Sequence, residues 1–432
     1  MHTVHTRSVF PGIGLTCVKT DKFKTGCLSI NLISSLRRAT AASAALLPQV
    51  LRRGTKELPD MERIASALDE LYGARIEPTL KKKGELQCIG FYADFPDDRF
   101  IPEAGGVLEK TISLTGGMLL SPVMRGNLLL EDYIDSEKKN LIDDIRAGIN
   151  DKRGYAIDRL LEEMCANEAY GINKLGSEAE ARAITPESLT AHYHEQLKNS
   201  RIEIFYCGSA EPERVESALR SALLGLSERS GINTPQTEIV LYPPDNSPKI
   251  IKETLDVSQG KLAVGFRLGK AMKDAPDYPA MMVFNAVYGS SVTSKLFLNV
   301  REKLALCYYA GSALDKHKGV MIVSSGIDFS KYQTALDEII AQLGHIKNGD
   351  VSDIELLSAK RTVITAIKSA MDRPSGLLEL YFDSLIAAER YDPEKLCEMI
   401  EKVTPDNVVE TAGEIETDTI YFLTGEGGVD DA

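Results

Sequence analysis

The chain repeats itself. Ser258-Gln259-Gly260-Lys261-Leu262-Ala263-Val264 resembles Lys24-Thr25-Gly26-Cys27-Leu28-Ser29-Ile30. Val403-Thr404-Pro405-Asp406-Asn407-Val408 resembles Ile184-Thr185-Pro186-Glu187-Ser188-Leu189. The run Ile420 to Leu423 before Gly425 echoes Ile202 to Tyr206 before Gly208. The three matches keep their order, which points to two copies of one α+β unit rather than a solenoid of short repeats. At 432 residues the chain also exceeds one ordinary core, so two domains are expected. We expect them over residues 1–228 and 247–432. The stretch 229–246, rich in Ser, Gly, Pro, Thr and Asn, reads as the linker.

Local patterns fill in the first copy. Gly14 to Lys19 and Asn31 to Leu36 alternate like partnered, half-buried strands. Thr40 can cap a helix over Ala41 to Arg53, with a kink or break at Pro48 because proline removes one backbone bond. Pro59-Asp60 opens a helix with Ile64, Leu68 and Leu71 on one face, and Gly73 to Phe95 reads as a hairpin around Lys83-Gly84. The Lys81-Lys82-Lys83 run is expected to be its solvated tip. Glu131 to Asn150 reads as a long charged helix, Ala156 to Ala166 continues the helical pattern, and Thr185-Pro186-Glu187 is a helix start.

Composition excludes several function classes. The formal charge of −13 is spread along the chain, which argues against nucleic acid or an anionic membrane as the main partner. The seven cysteines are scattered and form no C-x-x-C pair, as expected of reduced thiols in a cytoplasmic protein. Met1 to Phe10 has no apolar core of a secretory signal, and no uncharged apolar stretch is long enough to span a bilayer. Gly425-x-Gly427-Gly428 follows a strand but precedes no helix, so it reads as a tail rather than a phosphate loop. Ser290-Ser291 has no nucleophile context and reads as a turn and cap.

Four segments carry a resemblance. They are Arg53-Gly54-Thr55, Glu137-Lys138-Lys139, Leu175-Gly176-Ser177 with Ile184-Thr185-Pro186, and the run from Ser294 to Tyr308. The last is the most specific. It is similar to the S-x-L-F-x-x-x-R-E-K-x-G-L-x-Y block of the pitrilysin/insulinase metallopeptidases, the group that includes mitochondrial processing peptidase, with Ala305 in place of the glycine. The resemblance covers nearly the whole length. It implies an α+β fold of two homologous domains, each an antiparallel sheet flanked by helices. The chain also resembles the metal-motif-lacking member of a paired set in Gram-positive bacteria, named for association with 5-aminopentanol modification of elongation factor P.

The resemblance implies a lost metal site. Family members bind zinc through H-x-x-E-H, where two histidines one turn apart share a helix face and the glutamate polarises a water. Read back from Gly54-Thr55, these positions are Ala45, Pro48 and Gln49. The third ligand, seven residues after Glu137, is Asp144, one methylene short. Without imidazoles a lone carboxylate is a poor zinc site, so Glu137, Asp143 and Asp144 are expected on a solvated helix face. No other histidines substitute. His192 and His194 are two apart and diverge on a helix, His317 and His345 are isolated in sequence, and His2 and His5 are expected in a mobile terminus. All six are expected at the surface or hydrogen-bonded.

In two-chain members of the family, one chain carries zinc and the other an arginine and a tyrosine that reach the substrate across a chamber. Arg301 and Tyr308 match that pair. On spacing alone, Leu296, Phe297, Val300 and Leu304 make an apolar helical face, with Arg301 near the helix end and Tyr308 at the start of a strand. The resemblance thus implies a non-catalytic, substrate-binding subunit without a cofactor of its own. Its partner would be a zinc-binding paralogue and its substrate an extended peptide. A peptidase-derived scaffold with no part in hydrolysis is the alternative, and a homodimer is open.

Overall fold

A computed structural model describes residues 2–101, 105–230, 232, 235–270, 277–388 and 392–426. The glycine run at 427–428 lies outside them. The chain begins with β1 (Thr3–Phe10), β2 (Ile13–Lys19), β3 (Thr25–Ser35), α1 (Arg38–Arg52), α2 (Met61–Glu70), β4 (Arg75–Lys83) and β5 (Leu86–Pro96). There follow α3 (Val107–Leu120), the short strands β6 (Met124–Arg125) and β7 (Leu128–Leu129), α4 (Glu131–Ala147) and α5 (Lys152–Met164). Next come α6 (Glu178–Arg182), α7 (Pro186–Asn199), β8 (Arg201–Gly208) and α8 (Pro212–Ala222). The later part holds β9 (Lys249–Thr254), β10 (Gly260–Arg267), α9 (Asp277–Asn285), β11 (Cys307–Asp315) and β12 (Val320–Ile327). It ends with α10 (Tyr332–Lys347), α11 (Asp353–Ala370), α12 (Pro374–Ile386), α13 (Pro393–Glu401), α14 (Pro405–Gly413) and β13 (Glu416–Thr424).

The duplication is written into the sheets. The first runs β1-β2-β8-β3-β5-β4 and the second β11-β12-β10-β13-β9. Aligned through β8 and β13, β2-β8-β3-β5-β4 repeats as β9-β13-β10-β12-β11. Each sheet is antiparallel except for one pair in the same place, β2 with β8 and β9 with β13. The helix starts repeat too. Thr185 and Ser188 cap α7 reciprocally, and Thr404 and Asn407 do the same for α14. These boxes satisfy backbone donors at the helix ends that would otherwise be orphaned.

The chain forms two compact units, each drawing on both halves of the sequence. One comprises residues 1–146, 172–236 and 370–383, the other 147–171, 237–369 and 384–432. This differs from continuous domains over 1–228 and 247–432 at two helices. In the second unit, Ala156 and Leu160 of α5 are buried in one cluster with Ala263, Ile322, Tyr421 and Leu423 of its sheet. In the first, α12 brings Phe382 edge-on to Phe205 of β8, with ring centroids 5.4 Å apart. Both choices bury apolar side chains that a purely local packing would leave wet.

Several expectations change accordingly. The lysine run is no solvated tip: Lys81 and Lys83 pair with Glu379 of α12, Lys83 also reaches Asp383 at 2.7 Å, and Lys82 Nζ donates to the Ile172 carbonyl at 3.1 Å. Strand β2 is not the neighbour of β3, because β8 lies between them. Being central, β2 is buried along nearly its whole length, so its apparent alternation carries no exposed face. Helix α1 starts at Arg38 with Arg37 as an N-cap that makes no side-chain cap bond, so Thr40 is not its cap. It also runs through Pro48 without a break. Its length is buried from Ala41 to Leu51 at nine positions, and that packing offsets the roughly 3 kcal/mol an interior proline costs. His2 and His5 belong to no loose end: His5 lies in β1 and His2 Nε2 meets the Tyr381 hydroxyl at 2.8 Å.

Candidate functional site

The lost metal positions lie on α1 and α4 of the first unit. Ala45 and Pro48 are buried in the face of α1 that packs inward, whereas Gln49 is exposed. Asp143 and Asp144 are exposed on α4, as a solvated face requires. Glu137 departs from that expectation. Its carboxylate is only 11% exposed and accepts from Arg53 Nη1 at 3.0 Å. Arg53 in turn lies over the Tyr133 ring at 5.3 Å, and Tyr133 donates to the Pro59 carbonyl at 2.6 Å. Where the resemblance places a catalytic neighbourhood, this chain has built an ion pair that ties the end of α1 to α4. Among the described residues, no group of three or more His, Cys, Asp or Glu could hold a metal ion.

Arg301 and Tyr308 lie in the second unit. Leu296–Lys303 is a π-helix, anchored by Leu296 and Val300 in the core. The nearly buried Lys295 before it pairs with Glu355 at 2.9 Å, and Asn299 donates to Gln342 at 2.7 Å. The wide winding changes the expected face. Leu304 N–H bonds back five residues to Asn299, and the Leu304 side chain is exposed instead of continuing the Leu296–Val300 stripe. Arg301 is 41% exposed, stacked over Phe297 at 4.7 Å, with Nε 3.5 Å from Glu302.

Tyr308 owes its position to an irregularity. Strand β11 is an edge of its sheet. Its pairing with β12 shifts between Cys307 and Tyr309, so Tyr308 is the extra residue of a β-bulge. A bulge re-aims the side chain it carries, and Tyr308 is 61% exposed. Its hydroxyl donates to Asp328 Oδ1 at 3.2 Å. That bond to a carboxylate raises the phenol above its ordinary value, so it stays a proton donor at neutral pH. An arginine fork can hold a peptide carbonyl, and a phenol can donate to an oxyanion.

The sequence reading missed Asp328 altogether, and saw Phe297 only as part of an apolar face and Ala305 only as a departure from the family block. Asp328 acts at long range and leaves no local signal. Ala305 did leave one. It stands where the family block has glycine, and its φ is +47°, in the left-handed region. The turn therefore keeps the glycine conformation without the glycine. The Lys331 ammonium donates to its carbonyl at 2.9 Å.

Of the histidines, His194 and His345 are exposed, but His192 is neither at the surface nor hydrogen-bonded. It is 5% exposed and both its ring nitrogens are unpartnered. Ser291 closes the π-turn Ala286–Ser290, donating to the Ala286 carbonyl at 2.9 Å, in line with a capping role.

The chain is similar to known proteins of one peptidase family. Residues 183–363 match the peptidase M16 inactive domain. A probable inactive metalloprotease, YmfF, of Bacillus subtilis is 33% identical over 428 residues, 98% of each chain. The beta subunit of mitochondrial-processing peptidase from Saccharomyces cerevisiae is 21% identical over 309 residues, 67% of this chain and 66% of that one. A crystal structure of a conserved protein from Enterococcus faecalis superposes with a TM-score of 0.88 at 25% identity, covering 98% of both chains.

Proposed function

The chain belongs to the M16 peptidase family as a member without the zinc motif, and from that premise we propose that it is the substrate-binding, non-catalytic subunit of a two-chain zinc peptidase. The zinc would reside in a paralogous partner, and this chain would grip extended peptide through Arg301 and Tyr308. The observation that carries the reading is the bulge on β11. It holds a protonated phenol in solvent at a sheet edge, eight residues after Val300, the second apolar anchor of the preceding helix. Packing alone does not need an exposed tyrosine there. All seven cysteines are free thiols, which supports a reducing, cytoplasmic setting. No helix among the described residues is long and apolar enough to cross a membrane.

The test is reconstitution with a paralogue that carries an intact H-x-x-E-H. Alone, this chain should be inert; mixed, it should raise hydrolysis of extended peptides. Replacing Arg301 with alanine should lower the pair's kcat/KM by about tenfold or more, the loss expected for a charge-assisted hydrogen bond. An unchanged rate in that mutant complex removes the role assigned to Arg301.

A scaffold without a part in hydrolysis is the second reading. It is favoured by the fact that both groups are engaged at home, Arg301 with Phe297 and Glu302, Tyr308 with Asp328. In that case the paralogue's rate is the same with and without this chain.

A further inference from the structure

In the second unit, two cations from distant parts of the chain meet over one aromatic ring. Tyr309 of β11, Gly326 of β12 and Lys261 of β10 stand directly opposite one another across three neighbouring strands. Side chains so placed share one face of the sheet. A Cβ at Gly326 would come within 2.5 Å of the Tyr309 ring, so the ring lies across the glycine, toward Lys261. The Lys261 ammonium is 5.9 Å from the ring centroid. The first turn of α5 brings the Arg153 guanidinium over the same ring at 4.6 Å.

Neither cation has a carboxylate partner among the described residues. Arg153 is exposed and donates Nε to Ser324 Oγ at 3.2 Å. Lys261 is half-buried and donates to the Gln259 side-chain oxygen. Burial pulls its ammonium below the ordinary lysine value, and no opposing charge restores it. Asp151 is turned to the helix start, where its Oδ1 accepts the Gly154 N–H at 3.0 Å. The Tyr309 hydroxyl is buried without a partner, so only its ring faces the two cations. Stacking on a tyrosine is ordinary for one arginine. It does not explain a second, half-desolvated cation beside the first, since like charges repel. Counter-charges are not scarce in a chain of 63 acidic and 50 basic residues. A pair left without one fits an anion supplied from outside.

The position says which anion. Tyr309 follows Tyr308 on the same edge strand. An extended peptide sends alternate side chains to opposite faces, so one held at Tyr308 along this edge carries every second side chain over the face of Tyr309. A guanidinium fork matches a carboxylate in plane and spacing. We propose that Arg153 and Lys261 form a subsite for an acidic side chain of the bound peptide, aspartate or glutamate, with the Tyr309 ring as its floor. The subsite rests on the peptide-binding reading of Arg301 and Tyr308 and adds a substrate class to it.

The test is fluorescence anisotropy on the full chain, without a paralogue. The probes are short labelled peptides of Thr, Ser and Val in which a single Glu, Gln or Lys is walked along the sequence. At one or more positions Glu should bind about fivefold tighter than Gln, and Lys more weakly than Gln. Arg153→Ala and Lys261→Met should each bring the Glu and Gln peptides to the same affinity, and Arg153→Lys should keep part of the preference. Arg301→Ala should weaken Glu and Gln peptides alike and leave their ratio in place. Thermal melts check each variant; Arg153 is exposed, so its variants carry the test should Lys261→Met fail to fold. Equal binding of Glu and Gln at every position overturns the proposal, as does a preference that survives both Arg153→Ala and Lys261→Met. So does acetate competing as well as the Glu peptide, which would mark a site for small anions only. Failure of the peptide-binding reading looks different: no peptide of the series binds, Glu or Gln, and the subsite falls with it.

Discussion

Ala305 and Pro48 each keep a backbone geometry that their own chemistry opposes. At Ala305 the φ of +47° puts Cβ against the neighbouring carbonyl, a strain of about 1–2 kcal/mol that glycine does not feel. Ala305→Gly should therefore stabilise the chain by about 1 kcal/mol after glycine's greater unfolded-state freedom is deducted. Equilibrium urea unfolding would read it, and a loss of stability would show that the turn is held by something other than φ. Pro48 deprives the Ala44 carbonyl of its helical donor inside a continuous α1. Pro48→Ala should stabilise by about 1–2 kcal/mol, the helical gain less the buried ring methylenes given up. Calorimetric melting at a fixed pH would check it. Both residues were visible from the sequence as departures from a pattern. How each departure is tolerated was not, since that depends on the burial around α1 and on the lysine at 331.

Elements are held in place by charges the local sequence does not pair. The turn after α5 carries Glu168, which binds Arg267 Nη2 at 2.5 Å and Lys318 Nζ at 2.6 Å. Arg267 is 1% exposed and also bonds Asp418 at 2.8 Å. Burial alone would push the Glu168 carboxyl up, but the two cations outweigh it and hold it below the ordinary carboxylate range. An unfolded glutamate titrates near pH 4.3. With the folded value lower, the contribution of Glu168 is full above about pH 4.3 and drains away as the pH falls through the folded value. Glu168→Gln should cost about 3 kcal/mol at pH 7, because it strands buried cations, and should flatten the acid limb of stability against pH. Urea midpoints at pH 3 to 7 would show both effects; a parallel shift of the whole curve would mean that the carboxylate's charge is not what matters.

The two units each borrow a helix from the other half of the sequence. This sets a prediction for the molecule as a whole. The fragment 1–228 lacks residues 370–383, whose Leu377, Leu378 and Phe382 are buried in the intact chain. The fragment 247–432 lacks α5 and its buried Ala156 and Leu160. Either fragment expressed alone should expose those faces and be insoluble or molten. Each large side chain left uncovered forfeits about 1.5–3 kcal/mol of burial. Co-expression should restore folded material, read by heteronuclear NMR dispersion. A well-folded fragment 1–228 on its own would show that α12 adds little to its unit.

What was determined by residues in their own order is what depends on near neighbours. The duplication, the hairpin with its turn at Gly84 and the Thr-Pro helix starts all follow from a few consecutive side chains and from backbone sterics. What only the tertiary structure decided is where distant groups meet. The lysine run finds Glu379, Glu137 finds Arg53, Tyr308 is turned outward by a bulge, and the His192 ring is buried without a hydrogen-bond partner. Burial and ion pairing are properties of the space between elements, and a side chain carries no record in its sequence neighbourhood of which element will close over it.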